Sequence, residues 1–329
     1  MKSKIPTKEQ ASYRETYGFS EEPFALNPDP KFLYSSPTHL EALSLMLSGI
    51  KNRRGIIVIT GEAGVGKTLL IYALLRDLDE KEKTAFIFNP RVDFRSILED
   101  ILRDLGEPVK EGREILFSLL VHFRKYLKER FAQGGTVTIV IDEAQSLDEE
   151  VMEGLFRLAT PDSPSLNSLQ ILLIGHPDLE KKLNSEKLCS FKDRTTMGGR
   201  IRPLIREESR EYINHRLKLT GREISEIFTS EAINKAWGFA RGNPRIINLL
   251  CDRALWVGHS NSSPKVDSII INKAIKEIDY LRVGKSRPSQ PVFLRKKPGY
   301  KILRILFFLL SVGVFFYSIA WILSSLLQK

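Results

Sequence analysis

Residues 56–68 read Ile-Ile-Val-Ile-Thr-Gly-Glu-Ala-Gly-Val-Gly-Lys-Thr, and this stretch decides the fold class of the chain. An apolar strand runs directly into the phosphate-loop pattern G-x-x-x-x-G-K-[ST], and a helix-forming run from Leu69 to Leu78 follows. Glycines let successive backbone N–H groups turn toward an anion, and the positive end of the new helix points at the same place. The stretch therefore predicts an α/β domain that binds a nucleotide.

The phosphate-loop pattern predicts a role for each of its residues. Lys67 is expected to reach the β- and γ-phosphates of ATP as a catalytic residue, and the Thr68 hydroxyl is expected to bind Mg²⁺. The predicted contacts to ATP are Gly61, Glu62, Ala63, Gly64, Val65, Gly66, Lys67, Thr68 and Leu69.

A second nucleotide-site pattern follows about seventy residues later. The apolar run Thr136–Ile141 ends in Asp142 and Glu143, which places two carboxylates at the carboxyl end of a strand. Ligands of open α/β sheets bind at that edge. We expect Asp142 to bind Mg²⁺ and Glu143 to deprotonate the attacking water. The alternative is a helix N-cap with an acidic first turn, a common use of this residue pair.

Four further polar residues are candidates for the same site. His176 follows the fourth predicted strand and either senses the γ-phosphate or caps the turn that starts at Pro177. Arg194 and Arg200 flank a presumed fifth strand, and each is either an arginine finger for a neighbouring subunit or a surface residue. Arg245, in Gly-Asn-Pro-Arg, is a candidate for touching the γ-phosphate from a helical lid.

Apolar periodicity places these motifs in a fold. Strands are predicted near 55–60, 84–89, 136–141, 169–174 and 200–203, and helical patterns alternate with the first four of them. Alternating strands and helices favour a parallel sheet covered by helices on both faces. Four later helical patterns, at 207–220, 230–240, 244–258 and 267–279, predict a small helical domain.

Charge is distributed unevenly along the 329 residues. All 40 acidic residues precede Leu281, whereas nine of the 50 basic residues follow it, so residues 1–280 have a net charge of only +1. A basic chain usually suggests a nucleic-acid partner. Because the nucleotide-binding part is nearly neutral, nucleic acid is not the expected partner.

The C-terminal tail is predicted to cross a membrane. Residues 305–328 contain no charge, and a helix of that length reaches about 36 Å, enough for a hydrocarbon core of about 30 Å. The basic residues between 282 and 304 favour a cytoplasmic location for the chain before the span, and they could also bind anionic lipid. The predicted divisions are an α/β domain (1–204), a helical lid (205–281), a basic linker (282–304) and a transmembrane helix (305–327).

Several blocks of the sequence resemble those of AAA+ ATPases, and more specifically the general secretion pathway protein A (ExeA-like) group. The resemblance covers about residues 12–280. It rests on the phosphate loop, on Asp142-Glu143-Ala144-Gln145, on an N-terminal signature from Tyr17 to Leu43, on residues 169–179, and on residues 242–255.

The resemblance implies an α/β AAA+ (ASCE) fold and a bacterial inner-membrane ATPase whose motor is cytoplasmic. Members assemble as homo-oligomers and work with a membrane partner, the B protein, to help an outer-membrane secretin assemble. Phe24 and the Asn27–Pro30 turn would lie near the adenine, Arg194 would be the finger and Arg245 the lid sensor. In the usual second-arginine position this chain has Gly198, with Arg200 two residues later. Full-length members also carry a periplasmic peptidoglycan-binding domain after the span, which is not expected in this chain.

Two functional hypotheses follow. The first is a membrane-anchored ATPase that assembles or remodels an envelope machine for secretion, pili or polysaccharide export. The second is a nucleic-acid-dependent ATPase of the transposition-regulator or origin-binding type. The near-neutral charge of residues 1–280 and the predicted membrane span favour the first.

Overall fold

The structure is a computed structural model that describes residues 12–27, 29–79, 81–88, 90, 93–109, 115–159, 168–188 and 195–285. The chain divides into two compact units, residues 1–276 and 277–329. The sheet, the candidate site and the helices up to Lys276 belong to the first unit.

A five-stranded parallel sheet forms the centre of this unit. Its strands are β1 (Ile56–Gly61), β2 (Glu82–Ile87), β3 (Thr136–Ile141), β4 (Leu169–Gly175) and β5 (Thr195–Ile201), in the order β2-β3-β4-β1-β5. The predicted parallel sheet is confirmed, and β4 lies beside β1 as expected. The fifth strand begins five residues before the predicted one, because it pairs with β1 from Ile56 onward.

Central strands in this sheet are apolar because both of their faces are covered. Every residue of β1, β3 and β4 is buried, and alternate side chains enter two separate cores. In β1, Ile57 and Ile59 pack into one core, whereas Ile56 and Val58 pack into the other.

Helices cover the two faces in unequal numbers. Helices α2 (Pro37–Lys51) and α3 (Lys67–Asp77) pack on one face. The other face is covered by α4 (Phe94–Asp104), α5 (Leu116–Ala132) and α6 (Glu149–Leu158). Sequence fixes two of the starts: Pro37 occupies the first turn of α2, and the Asp93 carboxylate caps α4 by accepting from the Ser96 N–H. A short helix, α7 (Asp178–Leu183), follows β4 where only a turn was predicted.

From Arg206 onward the described chain is helical, and we call residues 206–276 the lid. Its helices are α8 (Arg206–Leu219), α9 (Ile224–Ile227), α10 (Ser230–Ala240), α11 (Pro244–Ser260) and the first part of α12 (Ser268–Lys285). The four predicted helices are present within a few residues, and α9 was missed because four residues carry no periodicity. Helix α12 continues to Lys285, beyond the predicted linker start at 282, because no proline interrupts the sequence before Pro288.

The N-terminal segment packs on the lid before it reaches the sheet. The Tyr13 hydroxyl of α1 (Tyr13–Tyr17) donates to Asp252 Oδ1 at 2.7 Å, and Tyr17 donates to the Ser263 carbonyl at 3.1 Å. Residues 26–36, which we call the strap, then lead to α2 on the sheet. The strap therefore connects the lid to the α/β layer.

No helix within the described residues is long and apolar enough to cross a membrane. The predicted span at 305–327 and most of the predicted linker lie outside the described residues. The membrane span and the division of the chain at residue 204 stay predictions.

Candidate functional site

A cavity of about 380 Å³ lies where the carboxyl ends of the strands face the lid. One side, which we call the sheet wall, is formed by the phosphate loop, the start of α3 and Glu143. The opposite side, the strap–lid wall, consists of strap and lid residues: Leu26, Asn27, Asp29, Phe32, Tyr212, Arg216, Arg245 and Asn248. Six of the nine predicted phosphate-loop contacts line the cavity: Ala63, Gly64, Gly66, Lys67, Thr68 and Leu69.

The phosphate loop is supported from behind by a buried histidine. Gly66 has a φ of 104°, and a Cβ at this position would lie 3.0 Å from Nε2 of His39. His39 Nε2 donates to the Val65 carbonyl at 2.9 Å, and its Nδ1 lies 2.6 Å from Ser36 Oγ. Because a carbonyl only accepts, Nε2 carries the proton and the imidazole is neutral when Nδ1 accepts from Ser36. Burial lowers the pKa of His39, which favours the neutral ring.

Lys67 opens α3 and is buried against the loop that precedes it. Its Nζ donates to the carbonyls of Gly61 at 2.8 Å and Glu62 at 3.1 Å. Burial lowers the pKa of Lys67, while nearby Glu143 and Asp142 oppose that shift. A buried ammonium at the mouth of an anion-binding loop is a group that a phosphate would stabilise.

Thr68, which lines the cavity, is hydrogen-bonded to the buried Asp142. Thr68 Oγ1 donates to Asp142 Oδ2 at 2.9 Å, and the Glu143 N–H donates to Oδ1 at 2.8 Å. Burial raises the pKa of Asp142, with the hydrogen bonds from Glu143 and Thr68 acting in the opposite direction. A hydroxyl and a carboxylate on neighbouring elements fit Mg²⁺, which in nucleotide sites takes one or two protein oxygens and completes its shell from phosphate and water.

The helix N-cap interpretation of Asp142-Glu143 is wrong. A 3₁₀ turn, Ala144–Ser146, follows β3, and α6 begins only at Glu149 with Asp148 as its N-cap. Glu143 has a φ of 53°, a left-handed conformation that costs free energy in a residue with a side chain. This turn directs an exposed carboxylate into the cavity, where Gln145 Nε2 donates to its Oε2 at 2.5 Å.

His176 contacts the turn that it was predicted to cap, whereas its sensing of the γ-phosphate stays a prediction. Its Nδ1 lies 3.0 Å from Asp178 Oδ2 in the following turn, and its Nε2 lies 3.0 Å from Glu62 Oε2 in the phosphate loop. The imidazole therefore joins the end of β4 to the phosphate loop on the neighbouring strand.

The lid contacts the phosphate loop directly. Asn243 Nδ2 donates to the Ala63 carbonyl at 2.7 Å, and the Arg245 N–H donates to the Gly64 carbonyl at 3.2 Å. Arg245 lines the cavity, in agreement with its predicted position. Arg194 lies outside the described residues, and Arg200 is an exposed residue within β5 rather than beside it.

Phe24 is placed differently from the expectation. Its ring is fully buried and packs edge-on against Phe228 of the lid, with 6.2 Å between centroids. Asn27 and Asp29, from the turn that was also expected near the adenine, line the cavity, as does Phe32. Phe24 therefore packs on the lid just before the strap begins.

The strap–lid wall contains residues that no motif indicated. Arg216 is buried, and its guanidinium lies 4.4 Å from the centroid of the Phe32 ring. Arg216 Nη1 donates to the Tyr212 hydroxyl at 3.0 Å, which donates to Asn248 Oδ1 at 2.7 Å. The sequence contains one indication of this wall. Tyr212 and Arg216 share the buried face of α8 with apolar residues, and a charged side chain is unusual in such a position.

Residues 50–183 match the model of the AAA domain family. This segment is an AAA domain. It contains the phosphate loop, Asp142-Glu143 and His176, which form the sheet wall and the groups behind it.

The chain is also similar to general secretion pathway protein A of Aeromonas hydrophila, with 34% identity over 272 residues. The match covers 82% of this chain and 49% of that protein, so the chain spans about half the length of its relative. The resemblance predicted from the sequence is confirmed.

Solved structures share the fold at low identity. Cdc6p of Pyrobaculum aerophilum matches with a TM-score of 0.62 and 17% identity, covering 76% of this chain and 71% of that one. Aeropyrum pernix ORC2, solved in ADPNP–ADP complexes, matches with a TM-score of 0.59 and 16% identity. That match covers 79% of this chain and 72% of the ORC2 chain. At this identity the likeness concerns the fold alone, and it extends beyond the AAA domain into the lid.

Proposed function

We propose that this chain is an ATPase that binds Mg–ATP between the sheet wall and the strap–lid wall and hydrolyses it. The single observation that carries the proposal is that Lys67, Thr68 and Glu143 line one cavity, with Thr68 Oγ1 2.9 Å from Oδ2 of the buried Asp142. Groups whose pKa values are displaced by burial cluster at functional sites, and Lys67 and Asp142 are two such groups.

Each of these side chains has a chemical task in hydrolysis. The phosphate loop and Lys67 bind and neutralise the phosphates, and Glu143 accepts a proton from the attacking water. Mg²⁺, bound by Thr68 and Asp142, supplies positive charge to the phosphate oxygens. Arg245 reaches the same cavity from the lid, so nucleotide binding couples lid position to the AAA domain. An arginine finger at Arg194 from a neighbouring subunit in a dimer or ring belongs to the same proposal.

The site of action that we propose is a cell-envelope machine at the bacterial inner membrane. Similarity to a general secretion pathway protein supports a secretion-type role. A membrane partner of the B-protein type belongs to the same proposal. The uncharged residues 305–328, preceded by basic residues, support a single-pass anchor with the AAA domain on the cytoplasmic side.

ATP hydrolysis by the purified full-length chain tests the proposal. We expect phosphate release that requires Mg²⁺ and that Lys67→Ala lowers by at least about 100-fold, because the substitution removes the ammonium from the phosphate loop. Lys51→Ala, which changes an exposed lysine at the end of α2, is the matched control. Hydrolysis that survives Lys67→Ala unchanged would show that the activity arises elsewhere.

The same assay separates the two functional hypotheses when DNA is added. Stimulation by DNA that falls steeply with salt would favour the nucleic-acid-dependent ATPase over the envelope role. Co-purification of an inner-membrane protein with the full-length chain would support the envelope role.

A further inference from the structure

The side chain of Gln145 bridges two separate parts of the site. Its Nε2 donates to Glu143 Oε2 at 2.5 Å, and its Oε1 accepts from the backbone N–H of His176 at 2.9 Å. The orientation of the amide is fixed chemically, because a backbone N–H only donates and therefore requires the oxygen on its side. The NH₂ group must then face Glu143.

The surroundings of Gln145 are built to hold it in this position. A Cβ on Gly175 would lie 2.5 Å from Gln145 Oε1, so only glycine leaves room for the amide at the end of β4. On the other side, Lys182 Nζ donates to the carbonyls of Gln145 at 2.7 Å and Leu147 at 2.6 Å. The side chain and the backbone of this 3₁₀ turn are therefore both restrained.

Glu143, in contrast, has few restraints of its own. Its side chain is exposed and its backbone adopts a left-handed conformation, so an unpaired carboxylate would sample several rotamers. The hydrogen bond from Gln145 removes that freedom. Since His176 also contacts Glu62 of the phosphate loop, the amide connects Glu143 to the strand end beside that loop.

We propose that Gln145 is the positioning residue for Glu143, holding the carboxylate in the orientation from which it accepts a proton from the attacking water. This inference rests on the proposed ATPase function. Gln145 itself transfers no proton and contacts no substrate; its amide donates one hydrogen bond that fixes where the Glu143 carboxylate points. Misplacement of a reacting group by about 1 Å can lower a rate by about 100-fold.

Two substitutions in the full-length chain test whether Gln145 orients the Glu143 carboxylate or only stabilises the fold. Gln145→Met has a similar length and removes both hydrogen bonds, whereas Gln145→Glu keeps an acceptor for the His176 N–H but replaces the donor to Glu143 with a second carboxylate that repels it. We expect both to lower kcat by about 10- to 100-fold. For Gln145→Met, the ADP dissociation constant measured by calorimetry should stay within about 2-fold of wild type, because phosphate binding uses the loop. Gln133→Met, at the C-terminal end of α5, is the matched control.

A double-mutant cycle with Glu143→Gln provides the decisive readout. If Gln145 acts through Glu143, adding Gln145→Met to Glu143→Gln should change the residual single-turnover rate by less than about 2-fold. An equal loss in both backgrounds, or a Gln145→Glu protein as active as wild type, would overturn the inference while leaving the ATPase proposal intact. Absence of hydrolysis by the wild-type chain would overturn the proposed function and this inference with it.

Discussion

The two walls of the cavity are built from different chemistry. The sheet wall presents an ammonium and a carboxylate, from Lys67 and Glu143, on segments that follow the parallel strands β1 and β3. The strap–lid wall presents aromatic rings and a guanidinium that stacks on one of them, from Phe32, Tyr212 and Arg216. Both walls carry charge, but the aromatic rings that line the cavity all belong to the strap–lid wall.

This difference indicates that the two walls have different roles in nucleotide binding and hydrolysis. Groups on the sheet wall are held by a rigid sheet and are suited to the reacting phosphates, whereas the aromatic wall suits binding through contact area and stacking. We expect substitutions on the sheet wall to change the rate of hydrolysis, and substitutions on the strap–lid wall to change nucleotide affinity. The following experiments are ordered from the largest expected effect to the smallest.

Glu143→Gln should cause the largest loss of activity, and it should lower kcat without changing nucleotide affinity, as expected for the sheet wall. Loss of the proton acceptor should lower kcat by about 100-fold or more, while ADP affinity stays within about 2-fold. Steady-state hydrolysis and calorimetry measure the two quantities, and Glu150→Gln, an exposed acid in the first turn of α6, is the control. A large loss of ADP affinity with an unchanged kcat would contradict the assignment of hydrolysis to the sheet wall.

Arg216→Met tests the opposite wall. Because the guanidinium stacks on Phe32 within the cavity, its removal should weaken ADP binding by about 10-fold and leave kcat at saturating ATP within about 2-fold. Calorimetric titration gives the affinity. Arg210→Met, an exposed residue of the same helix, should bind as wild type does. If Arg216→Met lowers kcat alone, the two walls do not divide the work in this way.

Asn243 of the lid contacts the phosphate loop of the sheet wall. Substituting it should therefore weaken ADP binding less than Arg216→Met does. Asn243→Ser keeps an oxygen to cap α11 but loses the donor to the Ala63 carbonyl, and we expect ADP binding to weaken by about 3-fold. Asn243→Ala, which also loses the cap, should in addition lower the free energy of unfolding by about 1 kcal/mol. Equal affinity in wild type and Asn243→Ser would show that the lid does not act on the loop through this contact.

The smallest expected effect concerns His39, which supports the phosphate loop from the first turn of α2. Because burial lowers the pKa of His39, the unfolded chain binds the additional proton as pH falls through about 6.5, and stability should decrease below that pH. His39→Gln should reduce this pH dependence while costing about 1 kcal/mol near neutral pH. Urea unfolding at two pH values measures both.

Burial also lowers the pKa of His215 in the lid, so His215→Gln is the matched comparison for His39→Gln. Both substitutions should flatten the acid-side loss of stability, but only His39→Gln should also weaken ADP binding, because only His39 contacts the phosphate loop. An unchanged pH dependence in His39→Gln would contradict the assignment of a neutral, buried imidazole.

The sheet wall was predictable because its functional residues lie in short, continuous segments of the sequence. One strand, loop and helix contain Lys67 and Thr68, and one strand end contains Asp142 and Glu143. Parallel strands bring such ends to a common edge, so the sequence predicts that these side chains meet. The Thr68–Asp142 hydrogen bond agrees with that expectation.

Arg245 and the Asn27–Pro30 turn were expected at the nucleotide, but Tyr212 and Arg216 were not, because this part of the strap–lid wall is assembled from segments far apart in the sequence. Phe24 and Phe32 are both buried aromatic residues, and no local pattern indicates which of them lines the cavity. Arg216 becomes a cavity residue only because the strap places Phe32 beside it. Packing between distant segments, rather than local propensity, determines this half of the site.

The attachment of α1 to the lid has a consequence for synthesis of the chain. Tyr13 and Asp252 are separated by 239 residues, and a ribosome adding about 5–20 residues per second needs roughly 12–48 s to produce them. During that interval the aromatic N-terminal segment has been made but its docking surface has not. Docking of the beginning of the chain onto the lid is therefore a long-range step that must wait until α11 has been made.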